Sequence, residues 1–140
     1  MASSYPPSQS IQYARQTILR AERAARCAPF RVKLYTTMRV QGVALSSITG
    51  TRGVQNGYTR RPLPELMAEH ELAWLMQIGL LRREVDGQGL TDSFRLTPLG
   101  RHLMEKWEQQ GGIGYIGHAT WRDRLLNFLT RWFRLPSWLS

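Results

Sequence analysis

The chain has 140 residues, 42% apolar and 21% charged, proportions that fit a globular protein of one domain with one or two appended elements. A single cysteine, Cys27, excludes an intramolecular disulfide and any cysteine-rich zinc site. The formal charge of +9 points to an anionic partner: nucleic acid, a lipid surface or an acidic protein.

That charge is unevenly placed. Residues 1–61 hold ten Arg or Lys and one acid, Glu22. Residues 62–119 hold five against eight acids, and residues 120–140 hold four Arg and one Asp. The electrostatic footprint therefore falls at the two ends of the chain. Residues 1–7, with Ser3, Ser4, Pro6 and Pro7, are expected to be disordered. Met1–Ser10 has no basic start followed by an apolar run, so a cytoplasmic location is expected rather than secretion. The serines, arginines and scarcity of acids over 2–26 also suit an organellar transit peptide, but the same stretch makes a good structural helix.

Ser8 or Ser10 is placed to cap a first helix running to about Cys27. Ile11, Ala14, Ile18, Ala21 and Ala25 follow helical spacing, while Arg15, Arg23 and Arg26 gather on another face with Arg20 beside them. The alanines around Cys27 predict a buried structural thiol. Pro29 suits the first turn of a second helix, with Phe30, Leu34 and Met38 inward and Gly42 ending it. Val43–Leu45 reads as a short strand, and residues 46–61 as a helical turn followed by a loop. Pro62 and Pro64 precede a strong helix to Ile78, with Leu63, Leu66, Met67, His70, Trp74 and Ile78 in register and Gly79 as its stop. Leu80–Val85 reads as a strand, Asp86–Asp92 as a loop and Ser93–Thr97 as the returning strand. Thr97 then caps a helix from Pro98 to about Glu108.

Gly79-Leu80-Leu81 and Leu96-Thr97-Pro98-Leu99-Gly100-Arg101 resemble the strand-wing-strand half of PadR- and MarR-type winged helix-turn-helix regulators. The similarity spans roughly residues 30–107. It implies an α+β fold, mainly helical with a small β-hairpin, extended here by an N-terminal basic helix and a C-terminal amphipathic helix. The domain is expected over 8–109, a Gly-rich hinge over 110–119 and the amphipathic helix within 120–140. The whole chain also resembles a small uncharacterised cyanobacterial family, which implies no known activity.

The resemblance implies DNA binding and transcription regulation, with the helix over about 62–78 in the recognition position. Such helices read bases with Arg, Lys, Asn or Gln beside a dense phosphate charge. This one carries Glu65, Glu69 and Glu71 and no Lys or Arg, with His70 and Gln77 as its other polar candidates. The wing offers Asp86, Gln88 and Asp92 where a minor-groove arm would offer cations. Phosphate contacts are therefore sought elsewhere: Arg15, Arg20, Arg23, Arg26, Arg31 and Lys33 on the first two helices, Arg60 and Arg61 before the acidic helix, and Arg82, Arg83 and Arg95 on the strands. The alternative for the first helix is a solvated face with a Glu22–Arg26 pair.

From Trp121 the apolar positions Leu125, Phe128, Leu129, Trp132 and Phe133 form one stripe, with Arg122 and Arg131 away from it. At about 1.5 Å per residue the helix is about 22 Å long, too short and too charged to span a bilayer. It suits packing in the domain, a homodimer or protein partner, or the surface of an anionic membrane. The second functional reading is accordingly an adaptor that docks a protein on the acidic face and uses the last helix as an anchor.

No chemistry of an enzyme is legible. Gly112–Gly117 matches G-x-G-x-x-G, but a helix precedes it where a dinucleotide site needs a strand. His70, His102 and His118 have no metal-ligand spacing, and Ser46 and Ser47 lack a nucleophile elbow. No cofactor, metal or small-molecule substrate is expected.

Overall fold

The computed structural model describes residues 13–111 and 121–133. Its first helix is built on small residues: Ala21, Ala24 and Ala25 are buried on one face of α1 (Arg15–Cys27), where short side chains let neighbouring helices come close. Ala14 occupies the N-cap position without a side-chain cap, so the helix begins after the expected serines. Ser8, Ser10 and Ile11 lie outside the described residues. Cys27 is half-buried rather than enclosed.

α2 (Val32–Val40) starts later than Pro29 suggests. Phe30 forms a β-bridge with Thr59, and the Arg31 N–H donates to the Tyr58 carbonyl at 2.8 Å, which holds residues 30–31 extended. The helix ends at Val40, with Gln41 already extended, just before Gly42. Leu34, Tyr35 and Met38 face inward. β1 is Val43–Ala44; Leu45 belongs not to that strand but to α3 (Leu45–Ile48), followed by α4 (Gly50–Gln55) and a loop.

α5 (Glu65–Ile78) buries Ala68, Leu72, Trp74, Leu75 and Ile78. The expected inward residues Leu66, Met67 and His70 are exposed. Apolar residues nearly ring this helix, so spacing alone could not choose the face. At its end Gly79 takes the left-handed conformation (φ 93°), and the Leu80 and Gly79 N–H groups donate to Leu75 and Met76 carbonyls at 2.9 and 3.0 Å. This is a Schellman cap, which only glycine adopts without a Cβ penalty.

β2 (Leu81–Asp86) and β3 (Gly89–Leu96) pair antiparallel, giving the sheet order β1-β3-β2. The ladder reaches Asp86↔Gly89, so Gly87 and Gln88 alone connect the strands, and the expected loop to Asp92 is largely strand. The pairing is irregular between Arg83 and Val85. There the Thr91 hydroxyl donates to the Glu84 carbonyl at 3.0 Å and accepts the Ser93 N–H at 3.1 Å, so the backbone groups displaced by the bulge are satisfied.

α6 runs from Pro98 to Gly111, a turn beyond the expected end, and takes in the first residues assigned to the hinge. Residues 112–120, the rest of that hinge, lie outside the described residues. The Thr97 hydroxyl accepts the Gly100 N–H at 3.1 Å as an N-cap. The same hydroxyl is directed at the carbonyls of Gly79 and Leu80, and the Thr97 N–H reaches the Leu80 carbonyl at 3.0 Å. One side chain thus joins the end of α5 to the start of α6. Gly100 is needed beside it, because a Cβ there would lie 2.6 Å from the Leu80 oxygen.

α7 (Trp121–Phe133) packs on α1, which itself contacts α5 and α6. The core combines the inward faces of α1, α2, α5 and α6 with the sheet, including Leu34, Leu72, Leu75, Phe94, Leu96 and Leu103. Each such fully buried side chain contributes about 1.5–3 kcal/mol. Within it, burial first and the Glu71 carboxylate second push the Tyr35 phenol above its ordinary ionisation range. Its hydroxyl has no hydrogen-bond partner among the described residues.

Candidate nucleic-acid interface

The bridge between Phe30 and Thr59 has an electrostatic consequence. It draws the start of α2 against the loop after α4, and neither segment carries an acid: from Arg23 to Pro64 the sequence has none. Arg31 and Lys33 stand at the start of α2, and Arg60 and Arg61 follow Thr59 directly; all four are exposed. The Lys33 side chain lies over the loop, close enough that a Cβ on Gly57 would be 3.1 Å from its Cδ. The loop turns back on α4, with the Tyr58 N–H donating to Gly53 and the Asn56 N–H to Arg52, both at 2.8 Å. Arg52 therefore joins the cluster, exposed on α4. Among the described residues none of these five cations makes an ion pair.

Arg52 was missed in the residue-by-residue reading because it sits in a stretch dominated by Gly, Ser and Thr. The signal that finds it is the acid-free run itself, which contains every member of the cluster.

The remaining predicted cations lie elsewhere. Arg15 and Arg82 are exposed, on α1 and β2. Arg20 and Arg23 are half-buried on α1, each with a buried Nε lacking a partner among the described residues. Arg26 lies 4.0 Å from Glu22, the i,i+4 pair read from the sequence. Glu22 is itself buried and held more closely by Lys106 at 3.2 Å. Arg83 pairs with Asp92 at 3.1 Å and lies over the Phe94 ring, and Arg95 pairs with Glu84 at 3.7 Å. Arg39, in the same acid-free run, pairs with Glu108 at 3.0 Å. The fold thus separates a solvent-facing cationic pole from Arg26, Arg39, Arg83 and Arg95, which carboxylates already engage, and from Arg15 and Arg82, which are exposed elsewhere.

The exposed face of α5 has the opposite character, with Glu65, Leu66, Glu69, His70, Ala73 and Gln77 all open. Its flank is covered by α7. Arg131 reaches Glu71 at 3.1 Å with its guanidinium over the Trp74 ring, and the Trp74 indole N–H donates to the Asn127 side chain at 3.2 Å. On α7, Leu125 and Phe128 are exposed, while Leu129 and Arg131 are half-buried. The side chains of Trp121, Arg122, Trp132 and Phe133 lie outside the described residues. No helix among the described residues is long and apolar enough to cross a membrane. Nor do the described residues include three His, Cys, Asp or Glu grouped to hold a metal ion.

Fold and surface together define a mainly helical α+β protein with one cationic pole beside an acidic helix face. The chain belongs to the Npun_F0494-like family, whose pattern matches residues 11–131. Neither a curated protein nor a solved structure shows significant similarity to it.

Proposed function

We propose that the protein is a non-catalytic winged-helix binding protein, a nucleic-acid-associated regulator that holds phosphate backbone on its cationic pole. The observation that carries this is the clustering of Arg31, Lys33, Arg52, Arg60 and Arg61, all exposed and without a carboxylate partner among the described residues. Five such cations retain their full attraction for a polyanion, whereas Arg83 or Arg95 would first have to leave Asp92 or Glu84. The winged-helix part is supported by the order of α2, β1, α3/α4, α5, β2 and β3 and by the sheet order β1-β3-β2. In that arrangement the pole is the loop before the recognition helix together with the start of the first helix, positions suited to backbone contact.

Base reading is not part of the proposal. The open face of α5 presents Glu65 and Glu69, which repel phosphate, and its flank is occupied by α7. The protein is accordingly a sequence-tolerant binder. The triple variant Arg31→Ala/Lys33→Ala/Arg52→Ala should lose at least tenfold in affinity for random duplex DNA, while Arg83→Ala changes it little. Equal losses from both would refute the placement.

A further inference from the structure

We propose that the exposed face of α5 binds a second copy of this chain. Leu66 is 64% exposed and Met67 49% exposed, the two large apolar side chains that α5 turns to solvent. Beside them stand Glu65 and Glu69 on the helix and Arg60 and Arg61 just before it, all exposed. Among the described acids Glu22, Glu71, Glu84, Asp92 and Glu108 each have a basic partner, whereas Glu105 on α6 and Glu65 and Glu69 on α5 make no ion pair. A chain with a large cationic excess thus leaves two carboxylates unpaired beside two unpaired arginines.

Both signs flank one apolar centre, so the surface is complementary to itself. A two-fold axis near Leu66 sets two α5 helices antiparallel: residues after Leu66 on one copy lie alongside residues before it on the other. Arg60 and Arg61 of each copy then meet Glu69 of its mate, twice over, around a Leu66/Met67 contact. An interface of this kind closes as a dimer and does not propagate. Its area is limited. α5 is about 21 Å long, and one helix with its flanking arginines falls short of the roughly 1,200 Å² of a stable complex. The dimer is therefore weak, reversible and salt-sensitive. It leaves Arg31, Lys33 and Arg52 outside the contact but engages Arg60 and Arg61, so a polyanion and the second copy compete for those two arginines.

Sedimentation equilibrium of the full chain, from about 5 to 500 µM at low salt, tests this over the range in which a weak dimer forms. The wild type should move from monomer to dimer. Leu66→Glu and Glu65→Lys/Glu69→Lys should stay monomeric, with circular dichroism unchanged because these side chains are exposed. Adding Arg60→Glu/Arg61→Glu to the lysine variant should restore association. A wild type that stays monomeric throughout, or a dimer that survives Leu66→Glu or the charge reversal, would overturn the proposal. Arg31→Ala/Lys33→Ala should weaken DNA binding without touching the dimer, so the two readings fail separately.

Discussion

Thr97→Val removes one hydroxyl and keeps the β-branched shape, so it isolates the polar junction between α5 and α6. Two losses are expected. The Gly100 N–H, 3.1 Å from the hydroxyl, loses its N-cap acceptor, which typically costs about 1 kcal/mol. The carbonyls of Gly79 and Leu80, which the hydroxyl also serves, lose a donor at a part-buried site, at about 1 kcal/mol more. The backbone bond from the Thr97 N–H to Leu80 remains, which bounds the damage. The total of about 2 kcal/mol corresponds to a fall of about 1 M in the urea midpoint, for an m-value near 2 kcal/mol/M. Equilibrium unfolding by tryptophan fluorescence reads this directly, and m should not change. Thr97→Ser keeps the hydroxyl and should lose less than half as much. A valine variant within about 0.5 kcal/mol of wild type would show that the junction is held by packing, refuting the polar account.

Two further outcomes bear on α7 and on the core. Glu71→Gln and Arg131→Met should couple by about 1 kcal/mol in a double-mutant cycle, because the pair is half-buried and the guanidinium also covers Trp74; strictly additive effects would mean that α7 is not held on α5 by this contact. Tyr35 ionises above its ordinary value of 10.0 in the folded chain, so above that pH the unfolded chain loses the proton first and stability falls as pH rises. Tyr35→Phe should flatten that decline above about pH 10. With a hydroxyl removed that has no partner among the described residues, it should also be neutral or stabilising by up to about 1 kcal/mol at neutral pH. A loss above 1 kcal/mol would reveal a hydrogen bond on that hydroxyl.

The parts of the fold that were legible in the sequence are those fixed by local chemistry. Gly79 as a stop and Thr97-Pro98 as a cap each follow from one residue's own stereochemistry, and both stand where they were read. The face of α5 was not legible, because Leu66, Met67, Trp74 and Ile78 give the helix apolar residues on more than one side. Tertiary packing against α1, α3 and β2 makes the choice. The hairpin tip escaped for a similar reason: Gly87, Gly89 and two aspartates read as loop, yet strand pairing reaches Asp86 and Gly89 and leaves only Gly87 and Gln88 as the turn. For the site, the acid-free stretch was visible, but its geometry was not. A bridge between Phe30 and Thr59 has no signature in spacing, and it brings Arg31 and Lys33 to Arg60 and Arg61, while the Tyr58 bond to Gly53 sets Arg52 on the adjoining helix. Conversely, Arg83 and Arg95 looked available because their partners, Asp92 and Glu84, lie across the hairpin.

The salt dependence of binding to labelled random duplex DNA tests the central claim most directly. With five phosphate contacts at about −0.9 each, a plot of log K against log salt should have a slope of about −4.5. Arg31→Ala/Lys33→Ala/Arg52→Ala should bring it to about −2. Absence of binding at low salt, or a slope that the triple variant leaves unchanged, would contradict a phosphate-binding pole at this site.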